Sequence, residues 1–273
     1  MVNEQQNDKT FIVLTIAGSD SGGGAGIQAD LKTFSALGVY GASVLTALTA
    51  QNTQGVQGVF PVTPEFVMAQ CDSVFGDLRI DSVKCGMLAN AAVIGAVAAS
   101  LVRYRPPVFV LDTVMVAKGG DTLLAPEAVR ALREVLLPLA DIVTPNLPEA
   151  AALLDTDIAT DETAMRQQGR ALLALGAKAV LMKGGHLKSG DSPDWLITPA
   201  EELRFAVPRV ETRHTHGTGC TLSAALAALR PQRPDWKTTV QEAKDWLTQA
   251  LMQADRLSVG RGIGPPHHFH RWW

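Results

Sequence analysis

The sequence predicts an α/β fold in which a mostly parallel sheet is covered by helices on both faces. Short apolar runs alternate with helical patterns at least five times along the chain, and this alternation is typical of parallel strands joined by crossover helices. Hydrophobic residues make up 47% of the 273 residues and charged residues 19%, so the chain can bury a large core. We find no internal repeat or linker and expect one domain over 11–273, preceded by a flexible polar tail over 1–10.

The predicted strands are short apolar runs, several of them rich in β-branched residues, and most end in glycine or polar residues. They cover 11–18, 43–50, 81–88, 106–115, 141–146 and 178–185, and the pattern of 194–210 predicts a β-ribbon or edge pair. The helical patterns cover 27–38, 63–78, 89–104, 125–140, 147–154, 160–176, a run starting at Thr218, and 236–253. Thr63 before Pro64 is a typical N-cap followed by a first helical residue, and Gly38 is a typical helix stop.

Charge and cysteine usage exclude several classes of protein. The formal net charge of −3 gives no electrostatic reason to expect nucleic acid or an anionic membrane as a partner. No apolar run approaches the roughly 20 residues of a membrane span, and the first ten residues lack the apolar core of a signal peptide. The three cysteines, Cys71, Cys85 and Cys220, are widely spaced, which argues against a disulfide framework or zinc site and favours the cytoplasm.

Two glycine-rich segments lie next to predicted elements: HGTGC precedes a predicted helix, and GSDSGGGAG follows the first predicted strand. In HGTGC, Gly217 and Gly219 stand at the start of a helix, where free amides and the helix dipole together can bind a phosphoryl group. A glycine-loosened turn beside a buried cysteine is the structural alternative. The second segment, GSDSGGGAG over 18–26, matches neither a Walker A loop nor a dinucleotide fingerprint, and a flexible turn explains it equally well.

Seven motifs occur in an order that resembles one family. They are AGSD with GGAGIQAD, TALTAQNT, GML, LDTVM, TPNLPEA, LMKGGH and HGTGC. Together they resemble the bacterial hydroxymethylpyrimidine/phosphomethylpyrimidine kinases of thiamine biosynthesis, which belong with pyridoxal kinases to the ribokinase-like superfamily. The resemblance runs from about residue 11 to the C-terminal GIGPPHHFHRWW. One departure is Ser21-Gly22, where the family commonly has Pro-Ser, and it could loosen the first loop.

The resemblance implies a three-layer α/β/α sandwich and two successive transfers from ATP. The first phosphorylates the hydroxymethyl group of 4-amino-5-hydroxymethyl-2-methylpyrimidine, and the second converts this monophosphate into the diphosphate. The resemblance also implies Mg²⁺ with ATP and a homodimer. A monovalent-cation requirement and a side activity on pyridoxine-like alcohols stay open.

The resemblance assigns the transfer chemistry to the HGTGC segment and one lysine. Gly217, Thr218 and Gly219 supply the amide cradle, and Lys183, after a strand, meets the ATP phosphates. Cys220 stands where many relatives have an aspartate base. A thiol has an ordinary pKa of roughly 8.5, which a helix N-terminus lowers, so we expect Cys220 to take the proton of the alcohol. An inert thiol at a helix start is the alternative.

ATP and its metal are assigned to a second group of polar residues. Asn146 and Glu149 form N-x-x-E at a strand-to-helix junction, and Glu149 is the expected Mg²⁺ ligand, acting through water. A first-turn acid that stabilises the helix dipole is the other reading of Glu149. Asp112 ends a strand and is expected to face the metal or the phosphates.

The pyrimidine is expected to lie among residues that follow the first strands. Gln51 offers a donor and an acceptor side by side, which suits the ring nitrogen and exocyclic amine of an aminopyrimidine. By resemblance Gly18, Asp30, Met87 and Val114 surround the same ring, although Met87 and Val114 are equally compatible with plain core.

The sequence pattern assigns no functional role to the histidines. His267, His268 and His270 lie close together near the C-terminus, and a packed or solvated tail explains them better than a metal site. His186 and His216 flank the phosphate segments. The nearest rival function is a pyridoxal kinase. A non-catalytic binding or regulatory protein of the same fold is disfavoured by the presence of Cys220, Lys183 and Glu149.

Overall fold

The computed structural model describes residues 9–115, 124–187 and 190–273. Nine strands form one sheet in the order β3-β2-β1-β4-β5-β6-β7-β8-β9. The strands are β1 (Ile12–Asp20), β2 (Tyr40–Asn52), β3 (Gly55–Pro61), β4 (Ser82–Cys85), β5 (Phe109–Leu111), β6 (Ile142–Val143), β7 (Val180–Lys183), β8 (Asp191–Ile197) and β9 (Glu202–Pro208). The helices are α1 (Gly26–Ala36), α2 (Pro64–Asp77), α3 (Ala91–Tyr104), α4 (Pro126–Ala131), α5 (Leu147–Leu154), α6 (Glu162–Ala174), α7 (Thr218–Leu229) and α8 (Trp236–Met252).

The centre of the sheet is parallel and both edges are antiparallel. β2, β1, β4, β5, β6 and β7 pair in parallel, while β3 runs antiparallel to β2 and β8 and β9 form an antiparallel ribbon beside β7. The carboxyl ends of the parallel strands therefore meet at one edge of the sheet, where open α/β sheets bind ligands. The predicted mostly parallel sheet and the ribbon over 194–210 are confirmed.

Helices cover both faces of the sheet. One core contains Phe34 of α1, Leu226 of α7 and Trp246 of α8, and the opposite core contains side chains of α2 to α6, among them Ile94 and Met165. Each such fully buried side chain contributes roughly 1.5–3 kcal/mol by leaving water. The three-layer arrangement expected from the sequence is confirmed.

Side-chain caps explain where several helices begin. Thr63 Oγ1 accepts the amide of Phe66 at the start of α2, as the Thr-Pro pair predicts. Asn146 and Glu149 form a reciprocal capping box at α5, in which each side chain accepts the other residue's amide. This box fixes Glu149 at the sheet edge, so local helix chemistry places a carboxylate beside the ligand-binding side.

The structure departs from the predicted elements in two places. β3 was not predicted, because Gly55–Pro61 contains two glycines and is mainly exposed. The helix predicted over 125–140 continues after α4 as a π-type turn, Leu132–Leu136, and a 3₁₀ turn, Leu137–Leu139, since Pro138 has no amide to donate. The predicted tail lies almost entirely outside the described residues, and no described helix is long and apolar enough to cross a membrane.

Candidate active site

A cleft of about 720 Å³ opens at the carboxyl ends of the parallel strands. Its lining includes residues of β1, β2, β4 and β7, residues that follow β5, and the start of α7, and most of the predicted site residues are among them. The predicted residues in the lining are Gly18, Gln51, Met87, Asp112, Val114, Asn146, Glu149, Lys183, Gly217, Thr218, Gly219 and Cys220. The topology therefore brings together side chains that are up to 202 positions apart in sequence, from Gly18 to Cys220.

The start of α7 forms an amide cradle. Gly217 is its N-cap and has φ 75°, a left-handed conformation that glycine adopts without strain. A Cβ at this position would overlap the carbonyl oxygen of Gly24, so only glycine fits. In the described part of the chain the amides of Gly219 and Cys220 have no backbone or side-chain acceptor. Two free donors at the positive end of a helix favour an anionic ligand.

Lys183 ends β7 beside this cradle. Its Nζ atom lies 3.3 Å from Asp112 Oδ1 and 3.8 Å from Glu149 Oε2, and a Cβ on Gly219 would be 3.5 Å from it. Burial would lower the pKa of Lys183, but the two carboxylates outweigh burial and raise it. Lys183 is therefore a cation held next to the free amides, where it can meet phosphate.

Two carboxylates stand on the other side of Lys183. Glu149 Oε2 accepts hydrogen bonds from the Asn146 amide at 2.8 Å and from Thr113 Oγ1 at 3.0 Å, yet burial raises its pKa overall. Asp112 accepts from Ser223 Oγ at 3.0 Å. Burial raises the pKa of Asp112 as well, but the charges of Lys183 and Lys84 outweigh it and lower the pKa.

The oxygen donors in the cleft fit a hard divalent cation. Mg²⁺ prefers carboxylate oxygens, keeps several waters and is usually held by one or two carboxylates together with phosphates. Asp112 and Glu149 provide such a pair. Among the described residues no group of three or more histidine, cysteine, aspartate or glutamate side chains could hold a metal ion.

Cys220 faces the cleft from the first turn of α7, but its acidity is the opposite of the sequence expectation. Burial raises the pKa of its thiol to about 11, and Asp112 and Asp30 act in the same direction. Lys84 and a hydrogen bond from the Gly26 amide lower it but do not compensate. The prediction that the helix N-terminus gives a low pKa was wrong, because desolvation and two carboxylates dominate over the helix dipole.

Gln51 lies beside the start of the cradle, because its Nε2 atom is 3.5 Å from Nε2 of His216, the residue before Gly217. Its backbone amide and carbonyl both bind Ser21 Oγ at 2.9 Å, so the residue that departs from the common family pattern ties this loop to β2. Its side-chain Oε1 lies 3.1 Å from Thr49 Oγ1. Nearby, a Cβ on Gly18 would be only 2.8 Å from Met87 Sδ, so these two predicted residues touch. Together with Val114 they belong to the lining of the cleft.

Comparison with known proteins assigns the chain to a family. The sequence model of the phosphomethylpyrimidine kinase family matches residues 20–267. The chain belongs to this family. The hydroxymethylpyrimidine/phosphomethylpyrimidine kinase of Escherichia coli (strain K12) is 64% identical to this kinase over 265 residues, which are 97% of this chain and 100% of the relative. The enzyme of the same name from Rhizobium meliloti (strain 1021) is 55% identical over 97% of this chain and 99% of its own.

Solved structures of related kinases share the fold. The ADP complex of Bacillus subtilis pyridoxal kinase has a TM-score of 0.88 at 36% identity and covers 95% of this chain and 98% of its own. Phosphomethylpyrimidine kinase from Clostridium difficile 630 has a TM-score of 0.80 at 40% identity and covers 89% and 100%. The resemblance stated from the sequence and its ribokinase-like fold are confirmed, and the chain is a phosphotransferase.

Asp30 is the one predicted site residue that the kinase does not place in the cleft lining. Its side chain is completely buried, and Lys84 Nζ and Thr15 Oγ1 bind its carboxylate. The expected direct position around the pyrimidine is not what this geometry shows, because Lys84 and the end of β4 lie between. A lysine within the apolar strand SVKC was the sequence signal for a buried carboxylate partner.

A contact between His216 and Asp20 joins the two glycine-rich loops of the kinase. His216 Nε2 lies 2.8 Å from Asp20 Oδ2, and the same carboxylate accepts the amides of Gly24 at 3.0 Å and Ala25 at 2.8 Å. Burial raises the pKa of Asp20, but His216 and the amides outweigh it and lower the pKa. Asp20 was not singled out from sequence, although an aspartate before a glycine run and a helix is a recognisable amide acceptor.

A further glycine-containing segment packs against the turn after β2 and against the residues before the cradle. The segment 260–264 has glycine at every second position, and it crosses the turn between β2 and β3. A Cβ on Gly260 or Gly262 would overlap Thr53, and one on Gly264 would overlap the ring of His214. The carbonyl of Gly264 also accepts the amide of His216 at 3.0 Å. The segment 260–264, called the strap below, therefore contacts both the turn after Gln51 and the residue before Gly217.

The C-terminal histidines pack against α7 and α8. His268 is 4% exposed, its Nε2 atom lies 3.0 Å from Thr221 Oγ1, and burial lowers its pKa to about 3. His267 is also buried, and the ring of His270 packs near Trp246. These contacts agree with the packed tail expected from sequence. His186 is exposed at the edge of the cleft.

The far end of the cleft is apolar on one side and has a buried ion pair on the other. Val207, Val210, Leu247 and Leu251 are among the residues that line it. Asp194 pairs with Lys244 and accepts the amide of Gly184 at 3.0 Å. This pair fixes the loop that follows Lys183.

Proposed function

We propose that this kinase carries out both phosphorylations implied by the resemblance. ATP phosphorylates the hydroxymethyl group of 4-amino-5-hydroxymethyl-2-methylpyrimidine and then phosphorylates the resulting monophosphate, in thiamine diphosphate biosynthesis. The observation that carries the proposal is the cradle of Gly217 to Cys220, with Lys183 beside it and Gln51 in the lining of the same cleft. A phosphoryl donor and an alcohol can meet there within one cleft.

ATP would enter from the apolar end of the cleft. The base packs beside Leu247 and Leu251, and the terminal phosphates reach the amides of Gly219 and Cys220. Lys183 neutralises phosphate charge, which is most of what a protein contributes to phosphoryl transfer. Asp112 and Glu149 would hold Mg²⁺, which supplies further charge neutralisation at the phosphates. Asn146 keeps Glu149 in place through the capping box.

Cys220 is proposed as the base of the first transfer. The alcohol O–H gives its proton to the Cys220 thiolate, the oxygen forms a bond to the γ-phosphorus, and the bond from phosphorus to the bridging oxygen breaks so that ADP leaves. Because the thiol pKa is about 11, the thiolate is a minor form at neutral pH but a strong base. The monophosphate is already largely ionised, so the second transfer needs no such base.

The pyrimidine is proposed to bind at Gln51. The Gln51 amide pairs with the ring nitrogen and the exocyclic amine, and Gly18, Met87 and Val114 contact the ring. A site that binds such groups rejects analogues without them, because its own polar atoms would lose their partners. Asp30 supports this region from behind through Lys84.

We further propose a cytoplasmic homodimer in which the chain forms one domain after its tail. One continuous sheet supports the single domain. Exposed Leu48, Val59 and Phe60 on the edge formed by β2 and β3 support a protein contact there. A monovalent cation beside the Mg²⁺ of ATP is part of the same proposal.

Pyridoxal phosphorylation is the second candidate. Similarity to Bacillus subtilis pyridoxal kinase at 36% identity favours it, and pyridoxal also carries a hydroxymethyl group on a nitrogen heterocycle. Release of ADP with the pyrimidine alcohol, with pyridoxal and with the pyrimidine monophosphate separates the two functions. Turnover of both pyrimidines is the expected result. Turnover of pyridoxal alone would overturn the proposed function.

A further inference from the structure

A buried ion pair joins helix α8 to the end of the strand that carries Lys183. Lys244 of α8 donates to Asp194 Oδ2, and each of these two residues is 5% exposed. Asp194 Oδ1 accepts the amide of Gly184, the residue after Lys183, at 3.0 Å. Two buried charges contribute little net stability even when they are paired, so stability alone does not explain why this pair stands here.

The backbone of Lys183 is held on both sides of its α-carbon. Its amide donates to the carbonyl of Pro145 at 2.9 Å, and the amide of the next peptide donates to Asp194 Oδ1. Lys183 and Asp194 are also cross-strand partners of β7 and β8. A Cβ on Gly184 would overlap the carbonyl oxygen of Pro193, so the two strands approach closely at this point. The orientation of the peptide between Lys183 and Gly184 therefore depends on the Asp194 carboxylate.

The same face of α8 lines the part of the cleft in which the base of ATP is proposed to lie. Lys244, Leu247 and Leu251 are among the lining residues, and spacings of three and four positions place them on one face of the helix. Lys183 and Asp194 line the same cleft. The helix that is proposed to contact the base therefore also carries the lysine that holds Asp194.

We propose that Asp194 and Lys244 are positioning residues for ATP binding: Lys244 holds the Asp194 carboxylate, which in turn fixes the Lys183 backbone so that the Lys183 ammonium stands beside the amide cradle. The proposal rests on the proposed function, in which Lys183 neutralises phosphate charge. A Cβ on Gly219 would be 3.5 Å from Lys183 Nζ, so contact with the cradle depends on where the strand end holds this lysine. The ion pair has no net charge, and it acts through Lys183 instead of attracting phosphate itself.

The test compares two ligands by calorimetry without a second substrate. One is AMP-PCP, a non-hydrolysable ATP analogue, with Mg²⁺, and the other is adenosine, which has no phosphate for Lys183 to meet. Lys244→Met should lower the affinity for AMP-PCP by about tenfold and leave the affinity for adenosine unchanged. Lys244→Arg keeps the cation and should recover most of the loss. The matched control is Glu242→Gln, which breaks a different ion pair of α8, with Arg233, outside the cleft lining, and it should bind both ligands like wild type.

A double variant shows whether Lys244 acts through Lys183. Lys183→Met should lower the affinity for AMP-PCP at least as strongly as Lys244→Met does. Adding Lys244→Met to Lys183→Met should cost nothing further, because the group that Lys244 positions is already absent. Additive losses, or a lower affinity of Lys244→Met for adenosine, would indicate that Lys244 contacts the nucleotide itself, and either result overturns the proposal.

A variant with a neutral interior keeps the proposal testable if Lys244→Met does not fold. Asp194→Leu combined with Lys244→Met removes both charges and leaves the Gly184 amide without its acceptor. This double variant should also lose affinity for AMP-PCP by about tenfold and bind adenosine normally. Wild-type affinity for AMP-PCP in this variant overturns the proposal.

Failure of this inference can be told apart from failure of the proposed function. If Lys183→Met binds AMP-PCP like wild type, the proposed contact between Lys183 and phosphate is wrong, and the inference falls with it. If Lys183→Met loses affinity but Lys244→Met does not, the proposed contact stands and only the inference is overturned. Neither result depends on which alcohol is the substrate, because the assay contains none.

Discussion

His216 Nε2 and Asp20 Oδ2 are 2.8 Å apart, and this contact connects the loop after β1 to the residue before the phosphate cradle. Gly217 follows His216 directly and packs against the carbonyl of Gly24. The Asp20 carboxylate also accepts the amides of Gly22, Gly24 and Ala25. The Asp20 carboxylate therefore helps to fix both the loop after β1 and, through His216, the start of the cradle.

Asp20→Asn should weaken this connection between the two glycine-rich loops. An amide side chain is a poorer acceptor for several backbone donors, so we expect the KM for ATP to rise by about tenfold, the equivalent of 1.4 kcal/mol. Steady-state kinetics measures this KM, with Asp255→Asn, a mainly exposed aspartate, as the control.

The lowered pKa of Asp20 predicts a stability contribution that is present above the ordinary pKa of about 3.9 and is lost as pH falls below it. The melting temperature of wild type should drop more steeply in acid than that of Asp20→Asn, and parallel curves would contradict the assignment.

Gln51→Leu should remove pyrimidine recognition while ATP binding stays nearly unchanged. Leucine offers no donor or acceptor, so the ring nitrogen and amine would lose partners at a cost of about 1–3 kcal/mol. Calorimetry with each ligand measures the two affinities. Gln57→Leu on the exposed face of β3 is the matched control. Normal pyrimidine affinity in Gln51→Leu would refute the assignment.

Cys220→Ala should slow the first transfer far more than the second. Loss of a general base typically costs about a hundredfold or more, whereas the ionised monophosphate needs no base. Since the thiol pKa is about 11, the rate of the first transfer in wild type should also rise steadily with pH from 6 to 9. Single-turnover rates with each substrate test both statements, with Cys71→Ala as control. Equal losses in both transfers would reassign Cys220 to positioning.

Glu149→Gln separates the two readings of this residue. Glutamine can still form the capping box, so the melting temperature should stay near wild type if helix capping is preserved. Loss of one carboxylate should raise the Mg²⁺ concentration needed for half-maximal activity by about tenfold. Magnesium titrations at fixed ATP measure this shift. A lower melting temperature with unchanged Mg²⁺ dependence would leave only the capping role.

Sequence predicted the parts of the fold that local patterns control. Sequence patterns correctly predicted the strands β1 and β7 and the start of α2 at Thr63-Pro64. Strand burial and helix caps depend on residues that are close together in sequence. β3 escaped because an exposed edge strand with two glycines has no apolar alternation. The irregular end of the segment after α4 depends on one proline whose effect on helix type is not visible in the hydrophobic pattern.

The site was predictable as a set of residues but not as an electrostatic arrangement. Motif order was enough to name Gln51, Lys183 and Cys220 as cleft residues. The acidity of Cys220 was misjudged, since it depends on burial and on charges from β4 and β5 that are distant in sequence. The partner of Asp30 was missed for the same reason, because ion pairs across a sheet depend on register.

The glycines of the strap over 260–264 have a practical consequence for redirecting the kinase toward other alcohols. Gly260 and Gly262 pack closely against Thr53, which lies two residues after Gln51. The carbonyl of Gly264 accepts the amide of His216. Randomised libraries that vary this strap would disturb ring selection and nucleotide turnover at once, so improved variants would be hard to recover. For the proposed pyrimidine site, diversity is better confined to Met87 and Val114, two residues of the cleft lining that lie outside the strap.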